Sequence, residues 1–214
     1  MKPKTIFLIS ALVIAALVAS IGTSFAQTEI LTFDDLSWSG YYYEQIPNGY
    51  GGLQWNNFFV LNTAQELSSF GRNGEVNGVV SPPNVAFNGE GTAAFISDGS
   101  FNLNSAYLMA AWNDGLQVEV QGFVGATLIY DNTYTVSTLG STLVNFNYLG
   151  VDEVNFISSG GVPHGYTSGL GTQFAMDNLS ITLVPEPPTF ASVGLAVIFL
   201  TLRCRTPRWN HRAT

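Results

Sequence analysis

The segment "LQVEVQGFV" at residues 116–124 alternates between apolar and polar side chains. Apolar residues at 116, 118, 120 and 124 fall on one face of an extended chain, and the polar residues at 117, 119 and 121 fall on the other. This period of two is typical of a strand with one buried face. Further short apolar segments follow at hairpin spacing, and "QFAMDNLSITL" (173–183) is predicted to be the last strand. The sequence therefore predicts an all-β fold, specifically an antiparallel β-sandwich.

Helical periodicity is weak between the two ends of the chain. The segment "TAQELSSF" (63–70) is predicted to form one or two helical turns, and "NDG" (113–115) to form a tight turn between strands. The first strand is predicted at "ILTFDDL" (30–36). Residues 37–55 and 71–91 are long for connections, and long loops in compact domains are usually functional or disordered.

The N-terminal residues 1–26 have the organisation of a secretory signal peptide. Lys2 and Lys4 precede the apolar segment "TIFLISALVIAALVASI", and Ser24-Phe25-Ala26 fits the small-x-small rule for signal peptidase. We therefore predict cleavage after Ala26 and a mature chain that begins at Gln27. The alternative is an uncleaved N-terminal membrane anchor.

A second apolar run lies near the C-terminus. Residues 190–202, "FASVGLAVIFLTL", are 13 uncharged residues, fewer than the roughly 20 that a membrane span usually needs. Four arginines follow, at positions 203, 205, 208 and 212. Because positive charge is retained on the cytoplasmic side, this pattern favours a short transmembrane helix over a buried C-terminal helix.

Residues 27–183 remain as the ectodomain, and its charge is one-sided. It carries 14 acidic side chains and one basic side chain, Arg72, so its formal charge is −13. Nucleic-acid binding is excluded as a function class because phosphate contacts need Lys and Arg. The one cysteine, Cys204, lies in the basic tail, so the ectodomain cannot contain a disulfide.

Two acidic motifs lie near the two ends of the ectodomain. Asp34 and Asp35 occur in "FDDL", and Asp177 occurs in "MDNL". Strand alternation predicts that residues 175, 177, 179, 181 and 183 share one face of the last strand and that residues 31, 33 and 35 share one face of the first. If these are the core faces, the carboxylates of Asp177 and Asp35 both point inward. A buried carboxylate is costly without a partner, and calcium accepts such oxygen ligands. We predict one structural Ca²⁺ at these aspartates; the alternative is that they cap turns or lie exposed at strand ends.

The segment 37–58, "SWSGYYYEQIPNGYGGLQWNNF", is dense in aromatic residues. Exposed aromatic rings stack on sugar faces, so this segment is a candidate carbohydrate-binding loop. The alternative is a loop that folds back as a lid, with Trp55 and Phe58 in the core. The candidate ligand-binding residues are Trp38, Tyr41, Tyr42, Tyr43 and Tyr50.

Catalytic motifs are scarce in the ectodomain. His164 is its only histidine, a Cys–His arrangement is impossible, and neither G-x-S-x-G nor H-E-x-x-H occurs. A two-carboxylate glycosidase stays open because acids are plentiful, but no pair stands out. We therefore expect a protein that is not an enzyme and assign no catalytic residue.

The C-terminal residues resemble the PEP-CTERM sorting signal of Gram-negative bacteria. The resemblance rests on the motif at 184–188, which contains Val184, Pro185, Glu186 and Pro187, on the apolar segment 189–202 and on the basic tail 203–214. It implies recognition by an exosortase, transient anchoring in the inner membrane, and delivery to the cell envelope or extracellular matrix. The apolar segment is shorter than usual for this family, and uncharged residues interrupt the basic tail.

The ectodomain resembles the globular domains that often precede this signal. The segments "SAYLMAAWNDGLQVEVQGF" and "FAMDNLSI" carry the similarity, and such domains in turn resemble jelly-roll carbohydrate-binding modules. The resemblance implies a jelly-roll-like β-sandwich over residues 27–183, with calcium held by Asp34 or Asp35 together with Asp177. The expected function is polysaccharide binding without catalysis. A structural matrix protein without a specific ligand and a glycan-active enzyme are the alternatives.

Overall fold

A computed structural model describes residues 26–184, apart from residues 38, 40, 41 and 168. The predicted signal peptide up to residue 25 and the sorting signal from Pro185 onward lie outside the described residues. Within residues 26–184, none of the helices has the length and apolar character needed to cross a membrane.

The described residues form ten strands, two α-helices and two short 3₁₀ turns, Tyr50–Gly52 and Gly89–Gly91. Their bounds are β1 (Gln27–Leu31), β2 (Tyr43–Gln45), β3 (Gln54–Asn56), β4 (Phe58–Asn62), α1 (Thr63–Phe70), α2 (Gly74–Gly78), β5 (Asn84–Asn88), β6 (Ala94–Ala110), β7 (Asn113–Val124), β8 (Thr127–Val136), β9 (Thr142–Pro163) and β10 (Phe174–Leu183).

The strands pair antiparallel in the order β2-β4-β5-β10-β6-β9-β7-β8, while β1 pairs with β10 and β3 pairs with β6. The predicted antiparallel all-β fold is confirmed. The alternating segment lies in β7, where Leu116, Val118 and Val120 are buried. Val124, predicted on the same face, is instead 45% exposed, because the register of β7 with β8 shifts after Gly122. The helix predicted at 63–70 is also confirmed as α1, and the side chain of Asn62 caps it by accepting hydrogen bonds from the backbone N–H of Ala64 and Gln65.

The long strand β6 changes partners along its length, which curves the sheet around the core. Its second half pairs with β10, whereas residues 95–97 pair with β3, and the register shifts between these two parts. Strand β4, which follows β3, pairs instead with β5. As a result the rings of Phe58 on β4 and Phe156 on β9 lie 5.5 Å apart. In a flat sheet four strand spacings would separate them by roughly 19 Å, so the sheet folds over on itself, as expected for a β-sandwich.

Asn57 makes the bend that joins β3 to β4. Its backbone has a φ of 57°, a left-handed conformation that asparagine adopts more readily than other residues with a side chain. The side-chain amide donates hydrogen bonds to Gly89 O at 3.1 Å, Thr92 Oγ1 at 2.9 Å and Ala93 O at 3.0 Å. These bonds fix the point at which the chain changes strand partner.

The core is rich in aromatic side chains from strands on both sides of the fold. Leu53, Trp55 and Phe58 are at most 3% exposed. The end of the 37–58 segment therefore folds into the core with Trp55 and Phe58 as anchors, as the lid alternative predicts.

Two local predictions are wrong. Strand β1 ends at Leu31 rather than residue 36, because Phe33 has a φ of 65° and begins a turn in which Leu36 N–H donates to Phe33 O. The side chain of Asn84 holds this turn by donating to the backbone oxygens of Phe33 and Leu36. Residues 113–115 form no turn either; they begin β7 and pair along β9, because the chain has already reversed at residues 111–112.

The predicted face of β10 is also wrong, because a bulge lies in its middle. Asn178 has a φ of 51°, and the register with β6 shifts between Asp177 and Ser180. Met176 and Leu179 both belong to the main core, so the inward face changes from even to odd positions at the bulge. Ala175 and Asp177 consequently lie on the outer face of the sheet.

This outer face has its own apolar cluster, made by Leu61, Val85, Phe87, Met109 and Ala175. Residues 63–83, which contain α1 and α2 and which we call the covering segment, lie over part of it. Gly78 approaches Met109 so closely that a Cβ atom there would collide with the methionine sulfur. Asp177 is therefore buried beneath the covering segment rather than inside the main core.

A candidate aromatic binding surface

An aromatic surface continues from the outer apolar cluster onto the edge of the sheet. The ring centroid of Tyr43 lies 5.6 Å from those of both Phe59 and Phe87. The ring of Tyr42 lies 4.9 Å from that of Phe70, the last residue of α1. We call these five residues the outer aromatic surface.

Strand register explains why these rings meet. Tyr43 on β2 is paired with Leu61 on β4, and Phe59 on β4 is paired with Phe87 on β5. Directly paired residues, and residues two apart on one strand, share a face of a sheet. Tyr43, Phe59 and Phe87 therefore point to the same side, across three neighbouring strands.

The outer aromatic surface is open at its edge. Tyr42, Tyr43 and Phe70 are 44%, 47% and 40% exposed. An open pocket of about 300 Å³ is lined by Tyr43, Glu44, Gln45 and Phe59. The rings offer apolar faces for stacking, while Gln45, which shares the face of Tyr43 on β2, offers both a hydrogen-bond donor and an acceptor. This combination suits a ligand with flat apolar faces and a rim of hydroxyl groups.

Tyr50 contacts a different set of residues. Its ring packs against Phe33 and Trp55, and its hydroxyl donates to Asp35 Oδ1 at 2.8 Å and accepts from Phe33 N–H at 3.1 Å. Burial, followed by the hydrogen bond to Asp35, raises the pKa of Tyr50 well above its usual value. The structure thus uses Tyr50 to hold the turn after β1. Trp38 and Tyr41 lie outside the described residues.

Asp177 is fully buried and accepts hydrogen bonds at both carboxylate oxygens. Oδ2 accepts from Val80 N–H at 2.7 Å and Ser81 N–H at 2.8 Å, and Oδ1 accepts from Ser81 Oγ at 2.8 Å and Asn178 N–H at 2.7 Å. Burial raises the pKa of Asp177, and these hydrogen bonds oppose the shift. Three of the four bonds come from the covering segment, so Asp177 fastens that segment to β10.

The predicted calcium ligands have separate partners. Asp34 Oδ1 accepts from Asn84 N–H at 3.0 Å and borders a pocket of about 180 Å³, whereas Asp35 is exposed and binds Tyr50. Across the part of the chain that the structure describes, no three His, Cys, Asp or Glu side chains are grouped as a metal site would require. Calcium binding at Asp34, Asp35 and Asp177 therefore stays a prediction, and the hydrogen bonds to Asp177 compensate part of the cost of its burial.

His164 anchors the loop that follows β9. Its Nδ1 lies 2.6 Å from Asp114 Oδ2 and 3.1 Å from the hydroxyl of Thr138, which is itself buried and donates to Asp114 Oδ1. The hydrogen bond from Thr138, with that from His164, lowers the pKa of Asp114. In a nucleophile–His–acid relay the nucleophile and the acid contact different ring nitrogens. Here both meet Nδ1, so the arrangement serves the loop rather than nucleophilic catalysis.

One feature gives no signal in the sequence. Glu66 in α1 and Glu75 in α2 are buried together around Asn73, where the predicted helix 63–70 meets a segment predicted to be an irregular connection. Glu66 and Glu75 are nine residues apart with no repeating pattern around them, and their contact depends on how the two helices pack.

No protein-family model matches this chain, and no curated protein matches it either. Among solved structures it is similar to a DUF4465 family protein from Bacteroides ovatus, with a TM-score of 0.47 and 13% identity over 75% of this chain and 100% of that chain. It is also similar to the module TmCBM61, solved in complex with β-1,4-galactotriose, with a TM-score of 0.32 and 7% identity over 66% of this chain and 98% of that chain. A mutant of the family 29 carbohydrate-binding module CBM29-2 has a TM-score of 0.33 and 14% identity over 74% of this chain and 93% of that chain.

Proposed function

We propose that this protein is an exported, non-enzymatic protein that binds polysaccharide on the outer aromatic surface. One observation carries the proposal: Tyr43 is 47% exposed beside Phe59 and Phe87 on one sheet face and lines an open pocket together with Gln45. Tyr42 and Phe70, which contact each other, are also at least 40% exposed. The similarity to carbohydrate-binding modules is too distant to support the proposal, which rests on this surface.

Sugar rings have apolar C–H faces and hydroxyl edges, and both match the surface. Stacking against Tyr43 and Tyr42 would remove exposed apolar area from water. Hydroxyl groups at the sugar edge would exchange hydrogen bonds with the amide of Gln45. Exposed aromatic clusters of this kind are uncommon on soluble proteins unless they bind something.

The route by which the protein reaches its ligand is the second part of the proposal. Signal peptidase would cleave after Ala26, and an exosortase would process the chain at the sorting motif that contains Val184, Pro185, Glu186 and Pro187. The product would be residues 27–183, located in the cell envelope or extracellular matrix. Mass spectrometry of the secreted protein tests both ends: we expect a mature N-terminus at Gln27 and no peptide from residues 189–214.

The binding proposal is tested with purified residues 27–183 on a glycan array, followed by calorimetry with the polysaccharide that binds most tightly. We expect Tyr43→Ala to weaken binding at least tenfold, about 1.4 kcal/mol, as for a central aromatic contact. Tyr43→Phe retains the ring and should stay within about threefold of the wild type.

Two further results complete the test. Leu149→Ala, at an exposed apolar residue on β9 outside the outer aromatic surface, is the matched control and should bind normally. If no polysaccharide binds, or if Tyr43→Ala binds as well as the control, the proposal is wrong, and a structural matrix protein without a specific ligand becomes the better account.

A further inference from the structure

The covering segment contains two buried carboxyl groups that share one amide. Glu66 in α1 is 7% exposed, Glu75 in α2 is 3% exposed, and Asn73 between the helices is fully buried. Asn73 Nδ2 donates to Glu66 Oε1 at 2.8 Å and to Glu75 Oε2 at 3.1 Å. The two carboxyl oxygens are therefore less than about 6 Å apart, since both bind the same nitrogen.

The position of Asn73 is fixed by other contacts. Its Oδ1 accepts a hydrogen bond from Val76 N–H at 3.0 Å and so caps α2. The next residue, Gly74, donates its N–H to Ala111 O on the main sheet at 2.9 Å, and a Cβ atom at Gly74 would collide with the backbone of Ala110. The Asn73 amide is therefore held in place. It can bind both carboxyl groups only while α1 and α2 remain packed together.

No described cation faces the pair. Arg72 is the one positively charged side chain near it in sequence, and its guanidinium donates to Asn77 Oδ1 at 3.3 Å. Strand β4, against which α1 packs, has no titratable residue. Helix α2 packs at Met109–Ala111, where β6 ends, and the nearest titratable residue along β6 is Tyr107. The other titratable groups around α2 have partners of their own. Asp177 accepts hydrogen bonds from residues 80–81, and Tyr166, which is stacked on His164, accepts one from Asn77.

Two ionised carboxylates at this separation would repel each other strongly, since burial removes most of the screening by water. Burial and the neighbouring Glu66 accordingly raise the pKa of Glu75 to about 8. Burial also raises the pKa of Glu66, while the hydrogen bond from Asn73 opposes that shift.

We propose that the covering segment is a pH-sensitive clasp, closed over the outer face while Glu66 or Glu75 is protonated and loosened when both carboxyl groups are ionised. In the closed state one carboxyl group is neutral, so the pair holds a single negative charge around the Asn73 amide. When the second proton is lost, repulsion separates α1 from α2. Because α1 ends at Phe70, which contacts Tyr42, loosening also disturbs the outer aromatic surface; this last consequence rests on the proposed function.

Hydrogen exchange of the purified ectodomain at pH 6 and pH 9, corrected for the intrinsic pH dependence of exchange, tests the clasp without any glycan. We expect protection of amides 64–78 to fall at least tenfold more than protection of the core strands β6 and β9 between the two pH values. Glu75→Gln keeps an acceptor for Asn73 but cannot ionise, so the extra loss should disappear. Glu66→Gln should give the same result and serves as the second variant if Glu75→Gln folds poorly.

Glu29→Gln is the matched control, because Glu29 is exposed on β1 and should leave the wild-type pH response unchanged. Equal loss of protection in helices and core strands, or a wild-type response in both Gln variants, would overturn the clasp. Glycan binding is measured separately at both pH values: a clasp that opens with no effect on binding would contradict only the link to the outer aromatic surface.

Discussion

Replacement of Asp177 by alanine should detach the covering segment from β10. The substitution removes the acceptor of three hydrogen bonds from this segment, those of Val80 N–H, Ser81 N–H and Ser81 Oγ, at 2.7 to 2.8 Å. Each hydrogen bond to a charged acceptor contributes about 1.5–3 kcal/mol. Removing a buried charge also removes its desolvation cost, which offsets part of the loss. We therefore expect a net loss of about 3–4 kcal/mol in the free energy of unfolding, because three donors of the covering segment lose their shared acceptor while the cost of burying its charge disappears.

Urea denaturation of residues 27–183 measures this loss, with Asp98→Ala, at an exposed position of β6, as the matched control. Asp98→Ala should change the free energy of unfolding by less than about 0.5 kcal/mol. Ser81→Ala removes the hydroxyl bond and leaves both backbone bonds, so it should cost about 1.5–3 kcal/mol.

The same experiment separates hydrogen bonding from calcium. If hydrogen bonds compensate the burial of Asp177, the loss should be equal in EDTA and in millimolar calcium. A loss below about 1 kcal/mol for Asp177→Ala would refute the anchoring role. A loss that appears only in calcium would instead favour the predicted calcium site.

Three further predictions concern the bend, Tyr50 and pH. Asn57→Ala removes three hydrogen bonds and puts alanine at positive φ, so it should lower the free energy of unfolding by about 2–4 kcal/mol, as judged by thermal and urea denaturation; a near-neutral result would show that the bend does not need the amide. Tyr50→Phe should cost about 1–2 kcal/mol in stability yet leave the affinity for polysaccharide unchanged, the reverse of Tyr43→Ala, and calorimetry would detect a weakened affinity if Tyr50 did touch the ligand. Glu75 binds its proton more tightly in the folded than in the unfolded chain, so stability should fall between about pH 4.5 and about pH 8 and then level off, and this slope should be smaller in Glu75→Gln.

Alternation along a strand is a local property, and for this reason much of the fold could be predicted. The buried face of β7 at Leu116, Val118 and Val120, the helix at 63–70, and the core position of Trp55 and Phe58 all follow from side-chain type and spacing. These features depend on the period of the backbone and on the removal of apolar area from water, and both can be evaluated one segment at a time.

The predictions that failed were those in which distant groups decide a backbone angle. Phe33 leaves the strand because Tyr50 and Asn84, 17 and 51 residues away, bind its N–H and its carbonyl oxygen. The bulge beside Asp177 reverses the faces of β10, and it is stabilised by the hydrogen bonds that Val80 and Ser81 donate to Asp177. Each of these backbone conformations is unfavourable or neutral when judged from neighbouring residues alone, so the local sequence does not predict it.

The candidate site also has a part that could be predicted from the sequence and a part that depends on the tertiary structure. The aromatic composition of residues 37–58 was enough to propose a sugar-binding region and to name Tyr42 and Tyr43, since aromatic residues beside turn-forming residues can be recognised in the sequence. Only the tertiary structure brought Phe59 and Phe70 beside them, assigned Tyr50 to the turn after β1, and buried Glu66 against Glu75. Strand pairing and helix packing join residues far apart in the chain, and which of them meet depends on the register of the whole sheet rather than on the segment in which each one lies.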